Sequence, residues 1–280
     1  MKKIMLLTLL LLFGVSFSPI LVHASENQKE DLMKIVSRFM PLNASLRSPE
    51  NSYPTLPIQL YDFDQDGQKE IIFTFKMKAK NQSSPCQFGS IVLKKYNAEW
   101  RKVLETKNQG IDLDFSGLAD ITGDGKKEYL FGVTIGAAAG SELEIYQWID
   151  NAFKKIADVP YHKMDFVNEK QKVGLAIWQM YIGDSYLVNV LKWNDDKLLY
   201  NEELYSKYYP VIEKFYKDKI SEMDAWFYWY CLADAQIKAN KFEEASKSIQ
   251  KGISLAKKSS LQEAVQDFHD LAERLENKSN

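Results

Sequence analysis

Leu93-Lys94-Lys95-Tyr96-Asn97-Ala98-Glu99-Trp100-Arg101-Lys102-Val103 reads as a strand ending on an aromatic residue, a short turn and a second strand. The chain returns to this pattern as Ile145-Tyr146-Gln147-Trp148-Ile149-Asp150-Asn151-Ala152-Phe153-Lys154-Lys155-Ile156, and again as Val190-Leu191-Lys192-Trp193-Asn194-Asp195-Asp196-Lys197-Leu198-Leu199-Tyr200. Asn and Asp suit the turn because they bond their own backbone and tolerate left-handed angles. The flanking β-branched and aromatic residues suit strands. Before each copy lies another hairpin, over residues 57–76, 117–135 and 166–181. Three units of roughly four strands therefore repeat between residues 58 and 205.

Three units are fewer than the four to eight blades of a closed propeller. The expectation is an all-β, partial or very small propeller-like array, or three sheets packed as a sandwich. Working outward, Leu32, Ile35, Val36 and Phe39 recur at helical spacing and predict a short amphipathic helix within residues 26–41. Residues 43–57, rich in Ser, Asn and Pro, read as a connecting loop. From Ser206 onward the pattern is helical. Ser221-Glu222-Met223-Asp224 and Ser260-Leu261-Gln262-Glu263 have the capping-box form that opens helices. Trp226, Trp229, Tyr230, Ala233 and Ile237 form one apolar stripe, and Phe242, Ala245, Ile249 and Ile253 form the facing one. Leu261, Ala264, Phe268, Leu271 and Leu275 mark a third helix. Over residues 226–259 this spacing resembles a single tetratricopeptide repeat, with Gly252 where that family carries Ala. One such hairpin cannot form the curved groove of a repeat array. The fold class is thus α+β and multidomain. A signal peptide (1–24) precedes an N-terminal helix and linker (25–57), a β repeat domain (58–205) and a helical, TPR-like bundle (206–280).

Met1-Lys2-Lys3, an apolar run from Ile4 to Val22, and Val22-His23-Ala24 before Ser25 have the charged start, apolar middle and small-residue break of a secretory leader. No Cys ends the run, which argues against a lipid anchor. No later segment approaches the roughly 20 apolar residues of a spanning helix. The expected mature protein is secreted or held in the cell envelope of a bacterium, without an integral membrane segment. Loss of Lys2 and Lys3 leaves 34 basic against 38 acidic residues, a formal charge of −4. That balance argues against nucleic acid or an anionic lipid surface as partner. Cys86 and Cys231 are too few for a disulfide framework. Export permits a bridge between them, but the favoured reading is a buried apolar Cys231 and a free Cys86.

Two nine-residue stretches carry the chemistry: Asp62-Phe63-Asp64-Gln65-Asp66-Gly67-Gln68-Lys69-Glu70 and Asp120-Ile121-Thr122-Gly123-Asp124-Gly125-Lys126-Lys127-Glu128. Each follows one apolar strand and leads into another. Calcium takes six to eight oxygens at about 2.3–2.6 Å. Oxygens at positions 1, 3 and 5 converge if the chain turns sharply, and Gly at position 6 allows that turn. The carbonyl of position 7, Gln68 or Lys126, can face the ion, and the acid at position 9 closes the site. An EF-hand is excluded, because position 12 is Phe73 or Phe131 and the flanks are strands. The stretches resemble the calcium loops of FG-GAP or VCBS repeats in extracellular β-propellers. That resemblance implies Ca2+ ligation by Asp62, Asp64, Asp66 and Glu70, and by Asp120, Thr122, Asp124 and Glu128, in two structural sites. Thr122 in place of an acid predicts that the second site is weaker. Asp165-Phe166-Val167-Asn168, without the Gly, predicts a metal-free third unit.

His162 and His269 share no motif, and no Ser or Cys stands in a nucleophile context. Residues 136–141, Gly-rich but leading into a strand, read as a hairpin loop and not a phosphate cradle. The expected function is a non-enzymatic, calcium-binding protein-interaction protein whose partner the sequence does not identify. One alternative is an extracellular carbohydrate-binding module using Trp148 and Trp193, although their recurrence in the repeat favours core packing. A second is a carboxylate-dependent hydrolase, since two acids can meet from anywhere in a fold.

Overall fold

The computed structural model describes residues 26–50, 53–78, 85–169 and 172–279. The expected leader lies outside them. The chain divides into two compact units, Met1–Arg38 and Phe39–Asn280. The first contributes α1 (Glu26–Phe39), on which Val36 is buried and Lys34 pairs with Glu30 at 3.2 Å. No helix of the described residues is long and apolar enough to cross a membrane.

Thirteen strands among the described residues form three antiparallel sheets. Sheet A contains β1 (Ala44–Leu46), β2 (Ile58–Tyr61), β3 (Glu70–Met77), β4 (Cys86–Tyr96) and β5 (Glu99–Gly110). Its outer position is shared, β2 pairing Ile58 with Phe73 and β1 pairing Leu46 with Phe75. Sheet B is the meander β6 (Asp112–Ala119), β7 (Glu128–Gly136), β8 (Gly140–Ile149) and β9 (Ala152–Tyr161). Sheet C is the meander β10 (Lys163–Glu169), β11 (Lys172–Met180), β12 (Tyr186–Asn194) and β13 (Lys197–Tyr200). No closed ring of sheets forms among the described residues. Instead, one residue joins each sheet to the next: Ile111 between β5 and β6, His162 between β9 and β10. Long strands thus bend out of one sheet into the following one, the corner construction of packed sheets.

The expected hairpins are present, and their register corrects the alignment on aromatics. The turns Asn97-Ala98 and Asp150-Asn151 have positive φ at both residues, the two-residue hairpin geometry that matches strand twist. The last paired residues before the turns are Tyr96, Ile149 and Asn194. Lys94, Gln147 and Lys192 are therefore equivalent. A bulge falls at the same place in two copies, between Val92 and Leu93 and between Ile145 and Tyr146.

The sheets pack in chain order. Ile72, Phe88 and Val92 of sheet A meet Tyr129, Phe131 and Tyr146 of sheet B. Leu130, Leu143 and Ile145 on the opposite face of B meet Leu175 and Ile177 of C. The far face of C, with Ala176, Trp178 and Val188, receives α2 (Glu202–Glu222) and α3 (Trp226–Lys238). β7 is buried on both faces, which is why it reads as an unbroken apolar run. Trp148 and Trp193 pack, partly buried, against the A–B and B–C cores.

α2 begins four residues before the expected helical boundary. Asn201 caps it, accepting from Leu204 N at 2.9 Å. Leu204, Tyr205, Tyr208, Tyr209, Ile212 and Tyr216 then line its buried side. Neither expected capping box opens a helix. Ser221 lies within α2 and donates to Asp218 O, while Ser260, at φ +57°, turns the chain between α4 (Phe242–Lys258) and α5 (Gln262–Ser279). The apolar stripes of α3, α4 and α5 meet as expected around Ala233, Ile249 and Phe268. Gly252 is required there, since a Cβ would stand 2.0 Å from the Phe268 ring.

Candidate cation-binding loops

Residues 62–70 join β2 to β3 and residues 120–128 join β6 to β7, so each loop links the first strands of its sheet. Their backbones are set by their own acids. Asp62 accepts from Asp66 N at 3.1 Å and Gly67 N at 2.9 Å. Asp120 accepts from Gly123 N at 2.6 Å and Gly125 N at 3.0 Å. The position-5 acids repeat one another too: Asp66 accepts from Gln68 N at 2.7 Å, Asp124 from Lys126 N at 2.8 Å. Gly67 and Gly125 have φ of +86° and +88°, where L residues are strained. The closing acids reach back across the loops, Glu70 to Phe63 N at 2.9 Å and Glu128 to Ile121 N at 2.7 Å.

The loops part at their centres. In the first, the Lys94 ammonium lies 2.8 Å from Asp64, 2.8 Å from Asp66 and 2.9 Å from Glu70. Its side chain is only 6% exposed. Burial works to lower the Lys94 pKa, but its bonds to Asp64, Asp66 and Glu70 outweigh that and raise it. The same contact with Lys94 lowers Asp66. In the second loop Thr122 replaces Asp64, and Gln147 replaces Lys94. The Gln147 amide donates to Asp124 at 3.2 Å and Thr122 at 3.5 Å, and the Thr122 hydroxyl donates to Glu128 at 3.0 Å. Glu128 is fully buried, and burial raises its pKa against the opposing N–H groups of Thr122 and Ile121. The paired exchange conserves charge. Four carboxylates less one ammonium, and three carboxylates with none, both leave −3.

Asp62, Asp64 and Glu70 each bring an oxygen within 4.8 Å of the others, the one such grouping of acids among the described residues. Asp64 Oδ1 is buried and has no hydrogen-bond partner, an orphaned acceptor among hard oxygen donors. Oxygen donors of this kind suit a hard metal cation. In the second loop the side chains of Asp120, Thr122, Asp124 and Glu128 are all engaged in hydrogen bonds that hold the turn. Gln68 Nε2 donates to Lys95 O at 3.4 Å.

Lys94 and Gln147 were not legible as site residues, because they come from the neighbouring hairpin and only the register brings them in. The third unit holds no corresponding loop. Asp165 lies inside β10 opposite Ala176, and the strands run on to Glu169 opposite Lys172, with residues 170–171 outside the described ones. Both cysteines are free, and burial raises the Cys231 thiol to about 12. His162 spans a seam, accepting from Met180 N at 3.1 Å and meeting Ala138 O at 3.2 Å. His269 is exposed on α5. No family model matches the chain, and no curated protein is significantly similar to it.

Proposed function

We propose that the chain is an extracytoplasmic, non-enzymatic calcium-binding protein that works by interaction with other proteins. The observation that carries this reading is the convergence of Asp64, Asp66 and Glu70 on one cation position, with Asp64 Oδ1 left unpartnered. A divalent ion entering the first loop displaces the Lys94 ammonium, which its flexible stem permits. The second loop offers no ammonium to displace but one carboxylate fewer, and binds more weakly. Asp62 both holds its turn and brings an oxygen to the cation position, Asp120 serves chiefly to hold its turn, and Gln68 and Lys126 offer only main-chain oxygens. The ion neutralises repelling carboxylates and pins a turn, so its role is structural. Export is supported by the leader-like residues 1–24. The helical hairpin of α3 and α4, and the propeller-like order of strands within each sheet, support a scaffold for protein contacts. Sequestered Cys231 and doubly engaged His162 support a non-enzymatic role.

Calcium titration followed by thermal melting tests the reading. Binding to the folded state stabilises by RT ln(1 + [L]/Kd), about 2.7 kcal/mol at a hundredfold excess over Kd. The shift should shrink to the weaker contribution of the second loop in the double variant Asp64→Ala, Asp66→Ala. A melting temperature indifferent to calcium, or a shift that both substitutions leave undiminished, overturns it.

A further inference from the structure

β10 is the edge strand of sheet C, and Lys163 and Asp165, two residues apart, share one of its faces. Trp178 of β11, Tyr208 and Phe215 of α2, and Tyr53 from the segment before β2 also line a cavity of about 430 Å3, with Met164 and Val211. That is within the range of small-ligand sites. The Tyr53 hydroxyl donates to one oxygen of Asp165, and the Tyr208 hydroxyl to the other at 2.7 Å. Trp178 Nε1 in turn donates to the Tyr208 oxygen at 3.1 Å. A carboxylate has about four lone-pair positions, so Asp165 keeps an acceptor site on each oxygen while two tyrosines fix its orientation. The Lys163 ammonium is steered by rings, 4.2 Å from the Tyr186 centroid and 5.0 Å from that of Phe215.

We infer that this cavity binds a neutral saccharide unit. One ammonium and one carboxylate leave the wall without net charge, so an ion of either sign meets a like charge as well as an opposite one. A polyol uses both: one hydroxyl donates to Asp165 and another accepts from Lys163. The half-buried rings of Tyr53 and Phe215 supply the apolar faces against which the C–H face of a sugar packs. A second cleft, about 370 Å3 between β9 and sheet C, has polar groups but no aromatic ring in its walls. The site is separate from the acidic loops and does not depend on calcium.

The test is an array of neutral, acidic and amino oligosaccharides probed with the full chain in EDTA, so that the calcium reading does not bear on it. The best ligand is then titrated calorimetrically against wild type, Lys163→Met and Phe215→Leu. Binding weakened tenfold or more in both variants is expected. Lys163 is exposed, so Lys163→Met should keep the wild-type melting temperature and decides the matter if Phe215→Leu folds poorly. A silent array overturns the assignment. So does a signal confined to acidic or amino sugars, or a neutral ligand whose affinity Lys163→Met leaves unchanged.

Discussion

Lys94 and Gln147 hold the same register position in successive hairpins, and each faces the acidic loop of its own sheet. Removing the ammonium by Lys94→Met leaves the buried Glu70 and the half-buried Asp64 without their cation. Breaking a buried pair from one side costs about 3–5 kcal/mol. Because Asp66 is 41% exposed and Asp64 18%, the low end, about 3 kcal/mol, is expected in denaturant melts without calcium. Calcium should restore part of it, and restoration by magnesium alone would argue against a calcium-type site. Burial raises Glu70 as well as Glu128, but Lys94 pairs with Glu70, whereas among the described residues no cation pairs with Glu128. Its folded pKa lies above the ordinary carboxylate value, so the folded chain takes up a proton more readily than the unfolded one. Stability from this group therefore rises as pH falls through the folded pKa towards about 4.5, and is lost again as pH rises. Glu128→Gln should melt at or above wild type at pH 7, with the difference shrinking on acidification, whereas Glu70→Gln strips a partner from Lys94 and should melt lower. The opposite ranking would contradict the assignment of charges. The acids themselves were legible from the spacing of Asp and Gly. Their counterparts were not, since alignment on Tyr96 and Trp148 places Lys95, not Lys94, opposite Gln147.

At the scale of elements, hairpins with turn residues between apolar strands were readable, and so were the three apolar stripes of α3, α4 and α5. What was missed shares a cause. β1 is three residues long, too short for a period-2 pattern, and takes its place from pairing with Phe75, Lys76 and Met77. β6 begins at Asp112, ahead of the hairpin expected from residue 117, and carries Asp112 and Asp114. Asp112 pairs with Arg47 at 2.9 Å, and Asp114 accepts from the Tyr161 hydroxyl. The capping boxes failed because Ser221 continues α2 and Ser260 turns with a positive φ, so neither stands at a helix N-cap. Gly252 illustrates how packing reverses a propensity. Gly→Ala in a helix interior ordinarily gains about 0.5–1 kcal/mol. Here the added Cβ meets Phe268, and overpacking costs about 1–3 kcal/mol. Gly252→Ala should lower the melting temperature, and adding Phe268→Leu should recover part of the loss.

Across Phe39–Asn280 the order of sheets follows the order of the chain, A packing on B, B on C, and C on α2 and α3. Sheet B, covered by A on one side and C on the other, should show the slowest amide exchange, in β7 and β8. Protection greatest in β12 or α4 instead would mean that the stack opens from its middle. The number of repeats was legible and their closure was not. A hairpin count does not say whether strands return to the centre of a ring or run on into the next sheet.

The single-residue corners at Ile111 and His162 decide that question, and they leave no slack. A sheet joined to its neighbour by a loop can tilt while the loop takes up the difference. Here, any tilt must be drawn from the paired ends of β5, β6, β9 and β10. The three sheets should consequently answer strain as one plate, with no hinge among them, and extra chain should be tolerated by location. Four glycine or serine residues inserted between Ala138 and Ala139, on an exposed hairpin tip, should leave the unfolding transition single and nearly unshifted. The same insert after Ile111 should broaden or split it.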